Sequence, residues 1–177
     1  MHFIPFISGD DEILKKGVKE YGALAKQLGL RETVVSLVVD RNYEKFLLVE
    51  SSEAPGKYIF PQEGVEEGED HQAACIRGLR EELGPEFSAK TLEFIRDEDI
   101  EIDHQVFNED REDFLGKYYS FYALRFTGSK SRIRANKREV LHYAWFTPDE
   151  ARKLLACASP EKARMSLEAL EEVLTLI

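Results

Sequence analysis

The stretch FPQEGVEEGEDHQAACIRGLREELG, Phe60–Gly84, decides how the rest of the chain is read. Ala73, Ile76, Leu79 and Leu83 fall on one stripe and Gly84-Pro85 closes the run, so an amphipathic helix is expected over Glu69–Leu83. On its polar side Glu81 and Glu82 are adjacent, and Arg77 stands one turn before Glu81. A carboxylate at position 78 would complete a set at i, i+3 and i+4 on one helix face, the spacing with which oxygen ligands share a divalent cation. That position is Gly78. An interior glycine costs a helix about 1 kcal/mol relative to alanine. Gly78 is therefore both locally unfavourable and chemically empty, and either a carboxylate site has decayed or the missing side chain makes room for another group.

Outward from this helix the chain alternates strands with a few helices. DDEILKKGVKEYGALAKQLG has apolar residues at helical spacing and a stop at Gly29, which predicts an N-terminal helix over about 10–29. TVVSLVVD and KFLLVESS, separated by RNYE, predict a hairpin, and KYIF a short strand ended by Pro61. TLEFIRD, the aromatic KYYSFYALRFTG and HYAWFTP read as later strands. Pro148-Asp149-Glu150 opens a short helix through about Cys157. Ser159-Pro160-Glu161 is expected to cap a C-terminal helix over about 159–177. With no repeat or low-complexity linker, the 177 residues make one α/β (α+β) domain with helical additions at both ends. Those terminal helices are expected either to cover the sheet or to build a homodimer.

Composition narrows the function. Hydrophobic residues are 43% and charged residues 33%, ordinary for a folded globular chain. No apolar run has the length of a membrane-spanning helix, and MHFIPFISGDDE lacks the basic and long apolar parts of a signal peptide. Cys75 and Cys157 lie in helical patterns and read as buried free thiols of a reducing cytoplasm. With 34 acidic and 24 basic residues the net charge is −10, which argues against general affinity for a nucleic-acid backbone. It leaves room for a phosphate-bearing substrate bridged through a cation held by carboxylates.

Glu69, Arg77, Leu79, Glu81, Glu82 and Gly84 fall at the spacing of the Nudix box, so the chain resembles the Nudix hydrolase family over roughly residues 33–156. In that pattern a glycine and a glutamate precede Arg-Glu-aliphatic-any-Glu-Glu-any-Gly-aliphatic. Here Gly78 replaces a glutamate that usually binds metal, Glu63 falls on the opening glycine, and Pro85 on the last aliphatic position. The resemblance implies the Nudix fold, an α/β/α sandwich with a mixed sheet, and Mg²⁺- or Mn²⁺-dependent cleavage of a pyrophosphate bond in a nucleoside diphosphate linked to another group. FPQ, with Gln62, is similar to the entry loop of diadenosine polyphosphate and RNA 5′-end pyrophosphohydrolases, so a nucleotide-type small molecule or an RNA 5′ end is the expected substrate.

By the same resemblance Glu82 and Glu81 hold metal, Arg77 orients the acidic residues, and Glu139 is an additional ligand or base. Glu63 is expected to compensate in part for Gly78, with a solvent-facing side chain as the alternative. Glu109, Glu112 and Asp113 are alternatives to Glu139, or a solvated loop. Glu69 is placed where a carboxylate favours a helix start. Arg134, in the basic KSRIRANKR, meets phosphates at the pocket rim or sits on a hairpin tip. Among Tyr118, Tyr119, Phe121 and Tyr122 alternation puts half in the core, and Tyr119 is the candidate to stack on a base. His71, His104 and His142 have no zinc-like spacing. Two other readings stay open: an inactive Nudix-homology domain that binds a nucleotide or protein, and an isoprenoid diphosphate isomerase, which needs a cysteine in the cleft.

Overall fold

In a computed structural model of the chain, residues 29–102, 106–108 and 116–177 are described. The β-branched and aliphatic runs form β1 (Leu30–Asp40) and β2 (Phe46–Ser51). Asp40 pins the turn between them: its Oδ1 accepts from the backbone N–H of Glu44 (2.9 Å) and Lys45 (3.2 Å), and its Oδ2 from Lys130 Nζ at 2.8 Å. The expected hairpin is present, but its strands share only the Val39–Phe46 register before parting. β1 continues against β4 (Gln62–Gly64) and, in parallel over its whole length, against β7 (Gly116–Phe126). β2 turns to β3 (Tyr58–Ile59) and β8 (Val140–Phe146). β5 (Leu92–Phe94) and β6 (Val106–Asn108) add to β7, giving a mixed sheet of eight strands among the described residues.

Side chains alternate across this sheet. Val34 and Val38 of β1, with Tyr122 and Leu124 of β7, pack with α1 (His71–Leu83). Val35, Leu37 and Val39, with Tyr119, Phe121 and Ala123, pack on the other face with α2 (Pro148–Leu155) and α3 (Pro160–Leu176). Both faces are covered, so Tyr118, Tyr119, Phe121 and Tyr122 are all buried, where alternation alone predicted half. α3 covers the sheet through Met165, Ala169, Leu170 and Val173. This is the α/β/α sandwich.

Helix ends differ from expectation in instructive ways. α1 starts at His71 with Asp70 as its cap, Oδ1 accepting from Ala73 N–H at 2.8 Å, so Glu69 lies outside the helix and is used otherwise. α1 ends at Gly84, at φ 98°, where a Cβ would stand 3.0 Å from the Arg134 carbonyl oxygen. Two of its last carbonyls are satisfied from outside, Leu83 O by Arg134 N–H (2.8 Å) and Glu82 O by Asn136 N–H (2.7 Å). α2 has a Thr147–Glu150 capping box and stops at Leu155, leaving Cys157 exposed rather than buried. Ser159 precedes α3 but its hydroxyl makes no capping bond. Cys75 is buried, and burial pushes its thiol up to about 12. The predicted N-terminal helix, His104 and the acidic Glu109, Glu112 and Asp113 lie outside the described residues. Among the described residues no helix is long and apolar enough to cross a membrane.

Candidate functional site

Gly78 is explained by what faces it. The β1–β4 register pairs Glu63 with Val34, whose side chain packs with α1, so Glu63 points at that helix. A Cβ added at Gly78 would stand 2.6 Å from Glu63 Cβ, 2.8 Å from its Cγ and 3.3 Å from its Oε2. Ordinary carbon contacts are about 3.5–4.0 Å. The Glu63 side chain thus occupies the space in which a side chain at 78 would begin. Its Oε1 accepts from Gly64 N–H at 2.8 Å and lies 3.6 Å from Arg77 Nη1.

Arg77 ties the helix to this loop. Its Nε and Nη2 donate to the two carboxylate oxygens of Glu69 at 2.8 and 2.9 Å, and Nη2 also donates to Gly64 O at 2.7 Å. Nη1 stands 3.4 Å from Glu81 Oε2. The paired hydrogen bonds from Arg77 hold the Glu69 carboxyl down to about 2 and raise the guanidinium's own value. Glu69 therefore serves as the partner of Arg77, with a second bond from Glu66 N–H at 3.0 Å, rather than as a helix-start charge.

Glu82 is the most perturbed carboxylate of this end. Burial pushes its pKa up to about 8, and the negative charges of Glu63, Glu139 and Glu81 push the same way. Its Oε2 is buried with no hydrogen-bond partner among the described residues. A cavity of about 230 Å³ opens here, lined by Glu63, Glu82 and Glu139 together with Arg31 and Lys117. Asn136 Nδ2 donates to Glu139 Oε1 at 2.9 Å, leaving the other carboxylate oxygen for a ligand. Among the described residues no three His, Cys, Asp or Glu side chains stand together in ligand geometry. The donors nevertheless suit a hard divalent cation: they are all oxygens, one of them buried and unpartnered, crowded by like charge that a cation would relieve.

The structure brings Glu63, Glu82 and Glu139 to one cavity and places Glu81, exposed, beside Arg77. Gln62 lines this cavity and also a larger one of about 500 Å³ on the opposite face of the sheet, where Tyr119 lies. Arg134 lines neither. Its Nη1 donates to Ser131 O and Ile133 O at 2.8 and 2.9 Å, and its backbone caps α1, so the basic segment closes the helix end instead of forming a pocket rim. His71 is bonded to Glu32 and, at 2.9 Å, to the Tyr122 hydroxyl. The buried Cys75 belongs to the apolar core beneath α1, so the cysteine chemistry of an isomerase has no support from it.

The NUDIX domain family model matches residues 29–168, most of the chain. The chain belongs to the Nudix family. An RNA pyrophosphohydrolase of a Nitratiruptor species is 37% identical over 57 residues, covering 30% of this chain and 37% of that protein. Nudix hydrolase 26, chloroplastic, of Arabidopsis thaliana is 26% identical over 125 residues, covering 66% of this chain and 58% of that protein. These matches span less than two thirds of either relative's length. The dihydroneopterin triphosphate pyrophosphohydrolase of E. coli superposes with a TM-score of 0.63 at 17% identity, covering 84% of this chain and 99% of that one. A C. elegans Ap4A hydrolase in a binary complex gives 0.59 at 16% identity, covering 82% and 96%. At such identities these structures share the fold.

Within this Nudix domain, sequence reasoning missed Arg31, Lys117 and Asn136. Arg31 and Lys117 are single cations on strands, with no local pattern to mark them. Asn136 sits among basic residues, three residues before Glu139, a spacing at which a side chain can reach its neighbour within a turn.

Proposed function

We propose that this Nudix domain catalyses Mg²⁺- or Mn²⁺-dependent hydrolysis of a phosphoanhydride bond in a nucleotide-type substrate. The observation that carries this reading is the Glu63 side chain filling the space beside Gly78, next to the buried Glu82 oxygen that has no partner among the described residues. Glu82, Glu63 and Glu81 would hold the cation, which when bound supplies positive charge to the phosphate oxygens and acidifies water. Arg77 fixes the β4–α1 loop through Glu69 and Gly64 O, and so holds Glu63 toward the helix. Glu139, held at one oxygen by Asn136, takes the proton of the attacking water at the other. Arg31 and Lys117, on the wall of the same cavity, meet the non-bridging oxygens of the phosphates. Glu82 would hold the cation in its ionised form, the form that burial disfavours without it.

A dinucleoside polyphosphate or an RNA 5′ end fits this reading. The FPQ entry, the RNA pyrophosphohydrolase relative and the Ap4A hydrolase neighbour support it together. A second reading, a nucleotide- or protein-binding domain without catalysis, draws on Gly78 and on the lack of a preset ligand trio among the described residues. Phosphate release from dinucleoside polyphosphates, nucleoside triphosphates, nucleotide sugars and 5′-triphosphorylated RNA, with Mg²⁺ and then Mn²⁺, separates the two. Metal-dependent turnover lost in Glu82→Gln supports the hydrolase; no turnover by a folded sample on any substrate supports the binding domain.

A further inference from the structure

The two cavities have opposite electrical character. The smaller is lined by Glu53, Glu63, Glu82 and Glu139 against Arg31 and Lys117. The larger, about 500 Å³, is lined among the described residues by Lys57, Lys117 and Lys162 against Glu53, in a chain whose net charge is −10. They adjoin where β1 and β2 part: Ser51, Glu53, Ile59, Gln62 and Lys117 line both. The volume is that of a small-molecule site, for which about 300–1,000 Å³ is usual. Its wall of Phe60, Tyr119, Phe121 and Met165 suits the flat apolar face of a base.

The lysines give this wall a positive charge that a base alone does not call on. The scissile phosphates belong in the smaller cavity, where a cation, Arg31 and Lys117 meet their charge. Lys57 and Lys162 line only the larger one. Beside them Ser159 and Ser166 come from the same helical turns as Lys162, at i, i+3 and i+7 along one face. Ser159 Oγ is buried and has no hydrogen-bond partner among the described residues, and although it holds the capping position of α3 it makes no capping bond. A hydroxyl donor withheld from its usual local partner, lining the same half-open cavity as two lysines, is a donor set that suits a phosphate.

We propose that the larger cavity binds a second phosphate, so that the substrate is a nucleotide carrying a phosphate on its ribose apart from the pyrophosphate that is cleaved. The base lies on Phe60 and Tyr119, the pyrophosphate passes Lys117 into the acidic cavity, and the second phosphate rests between Lys57, Lys162 and Ser159. The cleavage part of this assignment rests on the hydrolase reading above; the phosphate subsite does not.

Titration calorimetry of the full chain with adenosine 3′,5′-bisphosphate and adenosine 5′-monophosphate tests the subsite directly, because neither probe contains a phosphoanhydride bond. The bisphosphate binds about tenfold tighter or more, and Lys162→Gln and Lys57→Gln each remove most of that preference while leaving the monophosphate unchanged. Equal affinity for the two probes, or a preference that survives both variants in samples with wild-type thermal unfolding, overturns the proposal. Turnover then identifies the source. A lower KM for a 3′-phosphorylated nucleoside triphosphate supports a free nucleotide; a lower KM for a 5′-triphosphorylated dinucleotide supports an RNA end. Equal KM for these and the plain triphosphate overturns the second-phosphate substrate while leaving the hydrolase standing. Lysine-dependent bisphosphate binding without any turnover leaves the subsite standing and removes the hydrolase.

Discussion

Gly78→Ala should destabilise this protein even though alanine is the better helix former. The substitution gains about 1 kcal/mol of helix propensity at an interior position. Against that, the new methyl lies 2.6 Å from Glu63 Cβ. That atom is fixed to the β4 backbone and cannot rotate away, so strand or helix must shift, and overpacking of this kind costs about 1–3 kcal/mol. The net loss is about 0–2 kcal/mol by urea unfolding. The same geometry makes a sharper statement about second-site rescue. Glu63→Ala keeps the offending Cβ and does not relieve Gly78→Ala, whereas Glu63→Gly removes it and lets the alanine stabilise the helix by its full propensity. The coupling between Glu63→Gly and Gly78→Ala is therefore favourable by about 1–3 kcal/mol. The exchanged pair, Glu63→Gly with Gly78→Glu, should fold better than Gly78→Glu alone and bind Mn²⁺. Additive free energies in the cycle, or equal rescue by Glu63→Ala, would refute the claim that Glu63 dictates the glycine.

Four other outcomes follow from the same geometry. Glu82 has its folded pKa raised from 4.5 to about 8, so its contribution to stability is complete below the unfolded value and is lost as pH rises through 8; in chelator-treated protein the loss is up to about 1.4 kcal/mol per pH unit, and Glu82→Gln or added Mn²⁺ flattens it in thermal unfolding. Glu69 is shifted the other way, from 4.5 to about 2, so the stability it shares with Arg77 is present above the unfolded value and is lost as pH falls toward 2. Arg77→Lys loses the paired hydrogen bonds, costs about 1–3 kcal/mol, and moves acid unfolding to higher pH. Asn136→Ala frees Glu139 while the backbone bond to Glu82 O remains, so kcat falls about tenfold with thermal unfolding nearly unchanged.

The box helix and the main strands were legible because their patterns are long and periodic, and because turn and stop residues bound them. β4 was not. Gln62–Gly64 is too short and polar to carry a strand pattern, and it becomes a strand only because β1 offers an open edge there. That short strand is what aims Glu63 at Gly78, so the reason for the glycine was visible only in three dimensions. The acidic trio Glu63, Glu82 and Glu139 was named from the sequence, because two members fall within or next to a recognisable motif and the third in a region where such motifs often gain a carboxylate. Arg134 shows the opposite case. Its charge suggested phosphate, but the unsatisfied carbonyls at the end of α1 claim its backbone and its own loop claims its guanidinium. Cys157 was misplaced because the helical pattern ran past the point where α2 stops, at Leu155.

The most direct test of the account is the Mn²⁺ affinity of Glu63→Gln beside that of the wild type, read by electron paramagnetic resonance of free Mn²⁺ in the presence and absence of nucleotide. Glutamine keeps the length of the side chain, its place beside Gly78 and its packing, and removes only the charge. If Glu63 supplies the carboxylate that position 78 lacks, the affinity falls by about 10–100-fold with unfolding unchanged. An affinity equal to the wild type's would mean that Glu63 merely fills space and that the site binds its cation without it.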